Sequence, residues 1–135
     1  MNTEQREYYE MGKNDMLMEF VEAMTAEQKL DYCIYREDDK RVWSAITDDF
    51  IKVKYCYEVE DRKEIWETIT DDSCKVKYCR RIMDRPELWN SLTDDNEKML
   101  YCRDVCDREE VWSTIKSQNI KNYYCQFVVD RPEFH

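Results

Sequence analysis

The chain has 135 residues, with 21 Lys and Arg against 31 Asp and Glu, for a formal net charge of −10. That length suits a single domain, 1–135, with a modest core. The acidic excess opposes direct binding to nucleic-acid backbones or anionic membranes, and it also keeps a small protein soluble.

No apolar run approaches the ~20 residues needed to span a bilayer. The first residues, Met1-Asn2-Thr3-Glu4-Gln5-Arg6-Glu7, are polar and acidic, unlike a secretory signal, so a cytoplasmic location is expected. One Gly and two Pro are few, and no Asn-Gly or Asp-Gly occurs. Sheets joined by tight turns use those residues at their corners, whereas helices need neither internally. The composition therefore predicts an all-α fold.

In chain order, residues 1–29 read as an N-terminal capping unit. The first 15 are polar, as an extra helix or a frayed tail, and 16–24 are an apolar-rich helix. A repeat follows. Trp43, Trp66, Trp89 and Trp112 are each 23 residues apart. Tyr32-Cys33, Tyr55-Cys56, Tyr78-Cys79, Tyr101-Cys102 and Tyr124-Cys125 step by the same 23, as do Asp38, Asp61, Asp84, Asp107 and Asp130. Lys29, Lys52, Lys75, Lys98 and Lys121 keep the same phase. Phe20 precedes Trp43 at that interval. A fixed period of this size is the signature of a stacked repeat architecture.

The unit 61–83 shows the physics. Asp61 followed by Glu64 has capping-box spacing, as do Asp84 with Glu87, Asp107 with Glu110 and Asp130 with Glu133. Pro86 and Pro132 fall in the first turn, where a missing N–H does no harm. A first helix of about two turns puts Ile65, Trp66 and Ile69 on one face. Thr70-Asp71-Asp72 ends it and caps a second helix over 73–83, whose stripe is Val76, Cys79, Ile82 and Met83. One such hairpin cannot bury its own apolar face, so neighbours must stack, with the Trp residues as a core ladder. The expected fold is a solenoid of about five 23-residue helix-turn-helix repeats over 30–129, behind an N-terminal capping helix. Residues 130–135 form a C-terminal stub, with His135 at the Trp phase.

There are seven Cys, and five share one repeat position. Equivalent residues of packed helices sit roughly 8–10 Å apart, too far for a disulfide. They read as small buried thiols, which suits a reducing compartment. No Cys-x-x-Cys occurs, and His135 is the only histidine. Cys102 and Cys106, spaced i,i+4, supply half a metal site at most. No metal and no cofactor are expected.

Two surface patterns are candidate binding sites. The first is the Lys-x-x-Tyr-Cys ladder with its neighbouring arginines: Lys52, Tyr55, Lys75, Tyr78, Arg80, Arg81, Lys98, Tyr101 and Arg103. It offers a groove for an acidic or extended partner; the plainer reading is a Lys stem covering each Tyr ring while the amine pairs with a cap Asp. The second is an acidic edge, Asp48, Asp49, Asp71, Asp72, Asp94 and Asp95. Regular acidic rows imitate nucleic-acid phosphates, yet helix capping explains the same residues without a partner. The Asp-Arg pairs that open units, such as Asp84-Arg85, suggest an Arg bridging to an acid of the next repeat. No glycine-rich phosphate loop, Gly-x-Ser-x-Gly or His-Glu-x-x-His is present, and carboxylate pairs that repeat do not make one asymmetric active site.

The unit Asp-Arg-x-Glu-(Ile/Val/Leu)-Trp-x-x-(Ile/Leu), followed by Lys-(Val/Met)-x-Tyr-Cys, resembles the tandem helical repeats known as domain of unknown function 4116. The resemblance covers about residues 30–134. Those repeats also open with Asp-Arg-Glu and an aliphatic, and carry an aromatic followed by a small residue in the second helix. This chain differs in its first-helix Trp and in having Asp-Asp where that family often has Gly. The likeness implies a helical-repeat fold and a microbial or viral source, hence a host cytoplasm if viral. The sequence thus leads to a non-enzymatic protein-interaction module, an adaptor or inhibitor, acting as monomer or homodimer through exposed non-repeating residues such as Arg80, Arg81, Asn90 and Arg103. The alternative is an acidic nucleic-acid mimic that inhibits a DNA- or RNA-binding host enzyme.

Overall fold

A computed structural model describes residues 17–135; the polar segment read as a helix or tail lies outside the described residues. The described chain is all-helical. It falls into two compact units, one ending at Thr68 and the other running from Ile69 to His135.

The first unit contains α1 (Leu17–Ala23), α2 (Ala26–Tyr35), α3 (Lys40–Trp43), α4 (Asp49–Glu58) and α5 (Lys63–Trp66). The second contains α6 (Asp72–Arg81), α7 (Pro86–Trp89), α8 (Asp95–Asp104), α9 (Glu109–Trp112), α10 (Gln118–Phe127) and a 3-10 turn, Pro132–Phe134. In the first unit α2 packs on α3 and α4, and α4 on α5, while α1 covers α3. In the second, α6 packs on α7 and α8, α8 on α9 and α10, and α10 on the closing turn. Ten-residue helices lie side by side within each unit, and a four-residue helix fills the space after each.

Local chemistry sets the starts. Asp48 accepts from Ile51 N, Asp71 from Ser73 N and Cys74 N, and Asp94 from Glu97 N. Thr25 and Gln28 form a full capping box on α2. Each such cap contributes about 1 kcal/mol to helices too short to stand alone. The ends explain the scarcity of glycine. Val59, Ile82, Val105 and Val128 close their helices in right-handed geometry, each N–H donating to the Tyr carbonyl four residues back. No described residue has positive φ, so no left-handed glycine is required.

Three expectations need correction. The first helix of the repeat is one turn, not two: Lys63–Trp66 is typical. The capping boxes at Asp61, Asp84, Asp107 and Asp130 do not form, because the N-cap residues are Arg62, Arg85, Arg108 and Arg131, none with a side-chain cap bond. Each Asp stands one residue too early. Met83 is exposed rather than part of the stripe, because α6 stops at Arg81 and the helical phase is lost beyond it.

The core is built from repeat positions. Ile65, Trp66 and Ile69 are buried, as are Val42 and Trp43, Leu88 and Leu92, and Val111, Trp112 and Ile115. Trp89 and Phe20 are half-buried. The ring contacts join Trp to Tyr, as in Trp43–Tyr55 and Trp89–Tyr101, both with centroids 6.4 Å apart. Phe134 closes the second unit edge-on against Trp112 and Tyr124.

The tyrosines anchor these units. Tyr55 Oη donates to Asp38 Oδ1 at 2.5 Å, and Arg62 Nε donates to Tyr55 Oη at 2.7 Å. The same Arg62 donates to Asp38 Oδ2 at 2.7 Å and lies 4.9 Å from the Trp43 ring. Tyr101, Asp84, Arg108 and Trp89 repeat the clasp, with bonds of 2.6, 2.7 and 2.6 Å. Tyr124, Asp107, Arg131 and Trp112 repeat the two bonds to the carboxylate and the ring contact, but the buried Arg131 Nε has no hydrogen-bond partner. The Arg therefore reaches the Asp of the preceding repeat, not of the next. Burial first, then the bond to Asp38 or Asp84, raises the pKa of Tyr55 and of Tyr101.

Replacing Tyr101 with Phe keeps the ring and deletes the hydroxyl. Asp84 and Arg108 remain paired, so unfolding in urea is expected to show a loss of about 1–2 kcal/mol. No measurable loss would mean the hydroxyl is not part of the clasp.

The cysteines divide by environment. Cys33, Cys56, Cys74, Cys79 and Cys102 are buried, Cys125 is half-buried and Cys106 is exposed, none of them in a disulfide. Cys106 lies past the end of α8, so it does not share a helix with Cys102. Burial pushes the Cys33 thiol up to about 12, and the Cys79 and Cys102 thiols up to about 11. Since thiolate is the reactive form, alkylation of the native protein at mildly alkaline pH should label Cys106 first and spare Cys79 and Cys102. Peptide mapping by mass spectrometry reads this directly. Equal labelling of Cys102 and Cys106 would contradict the burial.

Candidate partner-binding site

The two candidate patterns meet different fates. Lys52, Lys75 and Lys98 are only 9, 9 and 8% exposed. Their amines donate to the carbonyls of Thr68, Ser91 and Thr114, at 3.2, 3.4 and 3.3 Å. Lys29 does the same at Ala45. These carbonyls follow the four-residue helices, where orphan acceptors collect. Each amine also pairs with an acid three residues back, Asp49, Asp72 or Asp95, rather than with the cap Asp. Tyr55, Tyr78 and Tyr101 are fully buried. The Lys and Tyr of the ladder thus face inward.

The acidic edge is also engaged internally. Asp48, Asp71 and Asp94 are the caps described above. Asp49 binds Lys52. Asp72 Oδ2 accepts from Thr93 N and Asp94 N, both at 2.8 Å, and Asp95 Oδ2 from Lys116 N and Ser117 N. Each of these two carboxylates ties the start of one long helix to the loop before the next. Burial opposes their charge, but the backbone N–H groups outweigh it, so both pKa values lie below the ordinary value. A depressed carboxylate adds stability above its unfolded pKa, about 4, and loses it as pH falls through the folded value. Native protein should therefore weaken below about pH 4, and Asp72→Asn with Asp95→Asn should flatten that dependence. Urea unfolding across pH 2 to 6 checks it; an unchanged slope in the double variant would remove these two groups from the account.

Arg80, Arg81 and Arg103 remain at the surface. Arg80 and Arg103 border a groove of about 190 Å³ between α6 and α8, with Val76 and Leu100 along its floor and Lys77, Glu97 and Asp104 at its sides. Asp104 holds both arginines, Arg103 at 2.8 Å and Arg80 more loosely at 3.9 Å. The Arg103 bond keeps the Asp104 carboxyl below its usual range. Burial raises the Glu97 carboxyl, and nearby Asp94, Asp72 and Asp71 add to it. The groove is therefore mixed in charge. Sequence reasoning found its arginines and missed Lys77, Glu97, Leu100 and Asp104; departure from the repeat consensus was the usable signal. Asn90 is exposed at the end of α7, away from this groove's lining.

Comparison with family models, with curated proteins and with solved structures finds no match to this chain. No helix among the described residues is long and apolar enough to cross a membrane.

Proposed function

We propose that the chain is a non-enzymatic protein-interaction module built as a solenoid of about five 23-residue helix-turn-helix repeats with an N-terminal capping helix. Its partner is a protein segment that sets a carboxylate against Arg80 and Arg103 and an apolar side chain against Leu100. The observation that carries this reading is the division of labour among side chains. Repeat-phased Lys, Tyr and Asp residues are committed to internal bonds, while the arginines outside the repeat pattern stand at a groove with an apolar floor. The long 3.9 Å contact between Arg80 and Asp104 leaves that guanidinium able to exchange partners.

The acidic-mimic reading has less support, because capping, loop-tying and the Asp49–Lys52 pair account for the six carboxylates. One experiment separates the two. Tagged protein is used to capture partners from host lysate at low and moderately high salt. Arg80→Glu with Arg103→Glu should abolish capture, whereas Asp48→Asn, Asp71→Asn and Asp94→Asn together should not, since Asn also caps helices. Loss in the Asn variant alone, with a basic partner that washes off in salt, would establish mimicry instead.

A further inference from the structure

The closing segment carries a contact of its own at the Asp phase. Asp38, Asp84 and Asp107 are each held by the Tyr of their own repeat and the Arg that opens the next. Asp130, at the same phase, meets the ring of His135, with Nε2 at 2.6 Å from Oδ1. His135 stands 23 residues after Trp112, so an imidazole occupies the indole position. Cys125 shares the phase of Cys79 and Cys102, yet it is half-buried where they are buried. Its Sγ lies 3.6 Å from the Arg131 carbonyl. The Cys125 thiol, an Asp130 carboxylate oxygen and a His135 ring nitrogen all lie within 4.8 Å of one another. Among the described residues this is the one group of three such donors.

We propose that Cys125, Asp130 and His135 form a surface site for a divalent transition metal, with Zn²⁺ the ion that fits the donors. A thiolate and an imidazole select zinc-like ions over Mg²⁺ or Ca²⁺, which require oxygen ligands. The repeat places a thiol at Cys125, and His135 adds an imidazole beside it and Asp130. Metal–donor bonds of about 2.0–2.3 Å set tetrahedral donors roughly 3.3–3.8 Å apart. The His135–Asp130 contact must open by under about 1 Å, and the thiol must close by a similar amount. Both movements are open to these side chains, since the Asp130 and His135 side chains are 75 and 63% exposed. Binding replaces the thiol proton with metal and releases that proton to solvent, while neutral His135 ligates through its ring lone pair. Three protein donors leave one position for water.

The test uses the full chain, reduced, with Co²⁺ as the spectroscopic stand-in for Zn²⁺. Titration at neutral to mildly alkaline pH should give one equivalent of binding, with a thiolate-to-cobalt charge-transfer band and the visible absorption of a four-coordinate ion. Zn²⁺ should erase both. Cys125→Ser and His135→Ala should each remove the charge-transfer band or raise the apparent Kd by more than about tenfold, beyond what loss of an outer-shell partner does. Cys106→Ser, which removes the exposed thiol, should change neither. Absence of the band in the native chain, or a band that survives Cys125→Ser and vanishes in Cys106→Ser, would overturn the site. Circular dichroism of each variant confirms that the helices persist.

Discussion

The Asp–Tyr–Arg clasp is the interaction on which each compact unit depends. A buried tyrosine with an unbonded hydroxyl would be costly, and so would a half-buried carboxylate without a cation. In the clasp each group satisfies the other two, and the guanidinium also covers a tryptophan face. The three polar groups come from two successive repeats, so the bond network forms only when those repeats are in register. The Trp–Tyr contact beneath it supplies non-directional burial; the clasp supplies the geometry.

Around that anchor the remaining polar residues carry out the same kind of task. A cap Asp, Thr or Ser starts each long helix, Asp72, Asp95 and Gln118 just after the cap reach to the following loop or turn, and a buried Lys satisfies a carbonyl that closes the four-residue helix. The helices are individually too short to persist in water, and their termini make up a large part of their length. A protein built this way needs many charged residues merely to finish its backbone bonds. This gives the strongly charged composition a structural cause, independent of any partner.

The same economy limits where function can reside. Residues kept in phase are occupied by the scaffold. What distinguishes one repeat from another lies outside the consensus: Arg80, Leu100, Arg103 and Asp104 around one groove, and His135 beside the in-phase Cys125 and Asp130. The groove residues depart from the 23-residue pattern, and at the second place His135 does, at the Trp phase.

The sequence by itself determined the helical class, the period, and the caps at Asp48, Asp71 and Asp94, because these rest on local spacing and on propensities that operate within a single turn. It also exposed Ile65, Trp66 and Ile69 as core. It could not distinguish an inward Lys52 or Tyr55 from an outward one, since both directions fit an i,i+3 helix spacing. It misassigned Asp84 and Asp107 as caps because capping-box spacing carries no information about a tyrosine 17 residues away. Direction, partner and burial of these charged residues were decided only by tertiary packing, which brings the donor of one repeat to the acceptor of another. The meeting of Cys125, Asp130 and His135 has the same origin: three residues five apart acquire a shared point only when the last helix and its closing turn fold back together.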